Sequence, residues 1–327
     1  MVAEGNDLRY QWYLNGAPVV GATSNQLVES HFSKIMSGTY TCAVSNKVGV
    51  VTSPSVELSI NSTHVVNLSA RTTVGSNSLV AGFVNQGSKP KSLIIRGDGP
   101  ALSQFGVSGV LQNPSISVVG QAGQMLGMNS GWNNSSTLAH AFNQVGAFAF
   151  SVNSTDAALN QAFSPGIYSV ALTGAVGVSG QAMLEIYDAD LDSSESELIN
   201  LSVRADAVSS SNPLVAGFVI AGNTTETVLI RAIGPTLGDY GISPCLNQPS
   251  LKLYGSNGLV LNSNTGWMGD SSLVSVFNQV GAFMLPRDSA DCAMLVTLTP
   301  GAYTVQVIGM NGSQGNALIE VYKVRSP

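Results

Sequence analysis

The sequence predicts an all-β chain: an incomplete sandwich followed by two homologous β-sandwich modules, each with one short helix. Three observations carry this. Charged residues make up only 10% of the 327 positions, against about 25% in an ordinary soluble domain, so the long charged side chains that wet helix faces use are scarce. Short runs rich in Val, Ile, Thr, Tyr and Leu alternate with Gly, Asn and Pro turn signals. From Ala81 onward the chain repeats itself at a constant offset of 135 residues.

The same composition excludes several functions. The net charge is −6 with 13 scattered Lys and Arg, so no basic stripe is available to neutralise nucleic-acid phosphates. No apolar run approaches the ~20 residues of a membrane-spanning helix, and membrane insertion is not expected. The segment MVAEGNDLRYQWYLNG has neither a basic nor an apolar leader region. An export signal is expected upstream of it, and the chain is expected to be a piece of a larger exported protein.

The first element, residues 1–61, contains Trp12 in Tyr10-Gln-Trp-Tyr-Leu-Asn-Gly and then Gly38-Thr-Tyr-Thr-Cys42, with Tyr40 two residues before Cys42. Tyr10–Ile60 resembles an I-set immunoglobulin-like domain. Trp12 stands for its core Trp, and Tyr40 and Cys42 stand for its tyrosine corner and second Cys. The last strand is expected at Val56–Ile60, with Val56, Leu58 and Ile60 facing inward. Two strands and the partner of Cys42 have no counterpart ahead of Trp12. Either the chain is a fragment, or another chain supplies the missing strand and the protein is a filament subunit.

The two modules are expected at 65–188 and 199–324. Ala81-Gly-Phe-Val84 returns as Ala216-Gly-Phe-Val219, Trp132 as Trp267, Tyr168 as Tyr303, and FNQVGAF at Phe142–Phe148 recurs at Phe277–Phe283. The stretch SLKLYGSNGLVLNS reads as a hairpin with Ser256-Asn257-Gly258 at its tip. Leu138, Phe142 and Val145 share one helix face, as do Leu273, Phe277 and Val280, with Asp270 or Ser271 as cap. Between the modules, 189–198 reads as an acidic linker, and Asn61–His64 as a weaker boundary.

The modules are similar to a repeat found beside immunoglobulin-like domains in large surface proteins of environmental bacteria, and distantly to pre-peptidase C-terminal sandwiches through LKLYGSNGLVL and PGAYTVQVIG. The resemblance implies a jelly-roll or immunoglobulin-like sandwich with an extracellular, accessory, non-catalytic role and no defined ligand.

Candidate sites are few. Four charged positions recur between the copies, Arg71/Arg204, Arg96/Arg231, Asp156/Asp291 and Glu185/Glu320, and are expected to fix the sandwich by ion pairs and hydrogen bonds. Arg96-Gly97-Asp98 spells an attachment tripeptide, but copy two has Ile233 at the third position, so Asp98 reads as incidental. Asp188, Asp190 and Asp192 alternate as in some calcium loops. Ser193 and Ile199 stand where an EF-hand loop needs Gly and Glu, which favours a solvated linker with calcium as the weaker reading. Trp132 and Trp267 each follow a short Asn/Ser/Gly turn. They either plug a sandwich end or stack on sugar rings of a polysaccharide.

Cys245 and Cys292 are Val110 and Ala157 in copy one, so both thiols occur in one copy and neither in the other. A disulfide would contribute about 4 kcal/mol and imply an oxidising compartment; the alternative is two buried thiols. His31, His64 and His140 are isolated and read as surface or turn residues, and no HExxH, CxxC or GxSxG is present. Asn-X-Ser/Thr sequons such as those at Asn61, Asn67, Asn153 and Asn223 follow from composition. The expected function is a non-catalytic, cell-surface or secreted structural or adhesion segment. No cofactor is expected, and the partners are other domains of a parent protein or neighbouring copies of itself. A filament subunit and a carbohydrate-binding module are the alternatives.

Overall fold

The computed structural model describes residues 5–28, 36, 38–58, 63–75, 78–190 and 195–325, which fall into two units, Met1–Ser62 and Thr63–Pro327. All the sheets are antiparallel, and the fold is all-β.

The first unit is one sheet built on β3 (Gly38–Ser45). On one side β3 pairs with β1 (Arg9–Leu14), which carries β2 (Ala17–Pro18). On the other it pairs with β4 (Val50–Thr52) and β5 (Val56–Leu58). Trp12 lies opposite Cys42 in register, and the Tyr40 hydroxyl donates to the Met36 carbonyl at 2.6 Å, closing a tyrosine corner. Period-two alternation buries Tyr40, Cys42 and Val44 along β3. The final strand departs from expectation. It is described over Val56–Leu58, separated from β4 by Ser53-Pro54-Ser55, where Pro54 has no N–H to give the ladder. Val56 and Leu58 are 56% and 42% exposed rather than inward, and Ile60 lies outside the described residues.

The second unit contains both expected modules and joins them into one body. Copy one supplies β6 (His64–Val74), β7 (Leu79–Gly87), β8 (Lys91–Asp98), β9 (Ser115–Gly120), β10 (Met125–Asn129), β11 (Ala157–Phe163), β12 (Gly166–Thr173) and β13 (Gly180–Asp188). Copy two supplies β14 (Ser196–Val208), β15 (Leu214–Ala221), β16 (Glu226–Ile233), β17 (Pro249–Gly255), β18 (Val260–Asn264), β19 (Cys292–Leu298), β20 (Gly301–Gly309) and β21 (Gly315–Lys323). Each copy lays four strands over four, as expected of a sandwich module, but the two modules are fused edge to edge. One sheet runs β10-β9-β12-β7-β14-β21-β16-β19 and the other β11-β8-β13-β6-β15-β20-β17-β18, so each is half copy one and half copy two.

The halves join at two equivalent seams, β7–β14 and β6–β15, which gives the unit a pseudo-twofold arrangement. The expected acidic linker is therefore a crossing from the end of β13 in one sheet to β14 in the other, and Ser196 and Leu198 are already buried strand residues. Seam geometry explains the repeated Ala-Gly-Phe-Val. Gly82 faces Ser202, and Gly217 faces Ser69. A Cβ on either glycine would lie 2.6 or 2.7 Å from the facing serine hydroxyl. The neighbouring Phe83 and Phe218 turn inward, each stacked on the corner tyrosine of its own copy, Tyr168 or Tyr303. Those tyrosines donate to the carbonyls of Ser164 and Thr299, each at 2.7 Å.

A single core of alternating residues from all these strands fills the space between the sheets. Two smaller cores lie on the outer faces, where the short helices cover β8 and β16. Helix α1 (Ser136–Gln144) is capped by Ser135, and α2 (Ser271–Val280) by Asp270, whose carboxylate accepts from the Ser272 N–H at 2.8 Å. Phe142 and Phe277 are their buried anchors. Because β8 and β16 are covered on both faces, their sequences run LIIR and VLIRAI without polar alternation. The predicted β17–β18 hairpin is present, and Gly258 takes the left-handed turn position.

Candidate functional site

The recurring charges converge beneath each helix. In copy two, Arg231 on β16 faces Glu320 on β21 in register. The guanidinium Nε and Nη2 lie 2.8 and 2.7 Å from Glu320 Oε2, and Nη1 donates to the Phe283 carbonyl at 2.6 Å. The Tyr322 hydroxyl occupies the other carboxylate oxygen at 2.8 Å. Phe277 and Phe283 place their rings 4.9 and 4.3 Å from the guanidinium carbon, which suits a weakly hydrated planar cation.

Copy one repeats this with Arg96, Glu185, the Phe148 carbonyl and Tyr187, and boxes Arg96 with Phe142, Phe148 and Phe150. Both arginines are 0% exposed. Burial, then the charge of the adjacent glutamate, pushes the Tyr187 and Tyr322 hydroxyls well above the usual phenol range, so both remain donors.

Asp156 and Asp291 stand beside these clusters and organise the turn after β8 and β16. Asp156 accepts from the N–H of Gly99 at 2.6 Å and of Ala101 at 3.1 Å. Asp291 accepts from the Gly234 N–H at 2.7 Å and from the Thr236 hydroxyl. Arg71 and Arg204 do not join the clusters. Arg71 is exposed on β6, and Arg204 donates to Asn316 and lines an open hollow of about 240 Å³ at one seam, with Gly82, Ser202, Tyr240 and Phe283.

The structure redirects most of the weaker candidates. Trp132 and Trp267 are 6% and 2% exposed and pack on Phe142 and Phe277. They plug the outer cores and present no face to a sugar. Asp188 is buried against the Lys91 ammonium at 2.9 Å with His64 at 3.7 Å, which places it inside the fold rather than on a solvated linker. His64 is therefore a strand residue beside a carboxylate rather than a surface turn. The Asp190 N–H donates to the Asp188 carboxylate, and its carbonyl accepts from the Lys91 ammonium. Asp192 and His31 lie outside the described residues, and His140 is exposed on α1. No metal-holding group of His, Cys, Asp or Glu occurs among the described residues.

The Arg96-Gly97-Asp98 tripeptide is buried within β8 and cannot meet a receptor. Asp98 is not incidental: it lies against Arg96 at 3.4 Å. One further pair escaped the sequence reading. Lys91 and Asp188 correspond at the 135-residue offset to Glu226 and Lys323, which also pair, at 3.2 Å. The signs are exchanged between copies, so a search for identical residues passes over them.

Cys245 and Cys292 are free thiols rather than a disulfide. Cys292 points into the central core, with its Sγ 3.3 Å from the Pro249 and Asn264 carbonyls, while Cys245 packs at the edge of the outer core of copy two. Burial pushes the Cys292 thiol up to about 12 and raises Cys245 less. A thiol-specific reagent is therefore expected to modify half-buried Cys245 in the native protein and to reach Cys292 only after unfolding. Peptide mapping of the modified chain checks this; equal labelling of both would contradict the packing.

No family model and no curated protein matches the chain. Among solved structures, an Eubacterium rectale protein described provisionally as secreted has 8% identity and a TM-score of 0.17 over 74% of this chain and 68% of its own. Sidekick-1 immunoglobulin domains 1–5 have 9% identity and a TM-score of 0.17 over 95% and 91%. The infectious bursal disease virus VP2 subviral particle has 9% identity and a TM-score of 0.19 over 82% and 74%.

Proposed function

We propose that this chain is a non-catalytic structural segment of a larger exported protein, acting as a spacer or display element at the cell surface or outside the cell. The observation that carries this reading is the merging of two copies into one body, with the paired charges Arg96, Glu185, Arg231 and Glu320 buried inside it. Arg96, Arg231, Glu185 and Glu320 are buried and hold strands, helix and turn together. A shared pair of sheets also gives a stiffer connection than two modules on a flexible linker. No helix among the described residues is long and apolar enough to cross a membrane.

A second reading, self-assembly through the first unit, is favoured by Val50, Val51, Val56 and Leu58, which are exposed together on β4 and β5. Light scattering over about a hundredfold range of concentration separates the two. A constant monomer mass is expected for the spacer. A mass that grows with concentration, and stops growing when residues 1–62 are deleted, would replace that reading with assembly.

A further inference from the structure

The clusters around Arg96 and Arg231 differ by one residue that changes their charge balance. Around Arg231 there is one facing carboxylate, Glu320, and the position after Ala232 is Ile233. Around Arg96 there are two, Glu185 and Asp98, because Asp98 takes the place of Ile233. Asp156 and Asp291 recur in both copies and are held by turn N–H groups, so they cancel in the comparison.

The geometry carries the mark of the extra acid. Glu320 holds its arginine at 2.7 and 2.8 Å. In copy one the single Nε of Arg96 lies between Glu185 Oε2 at 3.2 Å and Asp98 Oδ1 at 3.4 Å. Asp98 Oδ2 and Glu185 Oε2 are both buried without a hydrogen-bond partner within the chain. The other groups facing this acid are the Tyr187 hydroxyl on β13, bound to Glu185 Oε1, and Asp156 ahead of β11; Met183 lies opposite Asp98 in register. No second cation faces it among the described residues.

Two carboxylates on one arginine leave an uncompensated buried negative charge, which the interior does not tolerate. We propose that Asp98 holds a proton in the folded protein, making copy one a buried proton-binding site that copy two lacks. With the proton on Asp98, its hydroxyl has Glu185 as acceptor, and the cluster reaches the same net charge as that around Arg231.

Burial first, then the charge of Glu185, holds the Asp98 carboxyl well above the usual carboxylate range, against the pull of Arg96. Between the ordinary carboxylate value and that raised one, the folded chain binds more protons than the unfolded chain. This contribution to stability is therefore full at the acid end of the window and is lost as pH rises through it.

The test is thermal unfolding of the full chain from about pH 5 to about pH 9, for wild type, Asp98→Asn and Asp98→Ile, the last giving copy one the residue of copy two. Groups common to all three cancel. The wild-type midpoint is expected to fall by about 3 °C or more relative to both variants across that range. The infrared spectrum of the native protein at neutral pH is expected to show a protonated-carboxyl carbonyl band that is missing from Asp98→Ile. Parallel pH profiles for wild type and the folded variants, or the lack of that band in the wild type, would overturn the proposal. Should Asp98→Asn fail to fold, Asp98→Ile and the infrared band still decide it.

Discussion

Arg231→Ala is expected to destabilise the Thr63–Pro327 unit by about 3–5 kcal/mol, the cost of removing one partner from a buried ion pair. Three losses coincide in that substitution. Glu320, 6% exposed, is left with only the Tyr322 hydroxyl as a partner. The Phe283 carbonyl loses its donor. The rings of Phe277 and Phe283 lose the cation they enclose. Urea unfolding with constant m-value checks the size. The double substitution Arg231→Met with Glu320→Leu is expected to recover most of the loss, since replacing both partners removes the desolvated charge along with its counter-ion. A single-substitution cost below about 1 kcal/mol would mean that water reaches the pair.

Cutting the chain within residues 191–194 is expected to leave its two pieces inseparable under native conditions. After such a cut, β14 still pairs with β7 from Ser196↔Gly87 to Arg204↔Val80, and β6 with β15 from Arg71↔Val215 to His64↔Ala221. Phe83 and Phe218 remain in one core with residues of both copies. A protease site placed there, followed by gel filtration in buffer and then in denaturant, is the measurement. The nicked protein is expected to elute as one species and to unfold in a single transition. Two folded species of half the mass would mean that each copy's sandwich holds without its neighbour.

The sequence carries the local structure well and the long-range pairing poorly, for a physical reason. Turn glycines, the corner tyrosines and the Phe142 and Phe277 helix faces act over a few residues, so their spacing is visible in one dimension. Two equal copies satisfy the same alternation whether their edge strands β6, β7, β14 and β15 stay open or pair across the seam, so periodicity cannot distinguish two separate sandwiches from two fused ones. The discriminating signal was Gly82 and Gly217, repeated glycines inside strands, which mark where the facing Ser202 and Ser69 hydroxyls leave no room for a Cβ.

At the clusters, identity between copies pointed to Arg96, Arg231, Glu185 and Glu320, while it concealed residues that matter because they differ. Asp98 looked dispensable since Ile233 replaces it, yet that replacement is what unbalances one cluster. Lys91 with Asp188 and Glu226 with Lys323 were hidden by their exchanged signs. The tryptophans and the cysteines were legible as positions, but their burial was not, because it depends on outer cores that form over β8 and β16.

The crossed seams also bear on how such a chain can change over generations. Recombination between two similar stretches in one gene readily deletes the length between them. Here that event would remove one copy, and the survivor would keep a four-strand half of each sheet with raw edges where its neighbour had been. Adding a single copy would create the same orphan. A lineage built on this unit is therefore constrained to gain and lose modules in twos, and parity becomes an inherited property of the architecture.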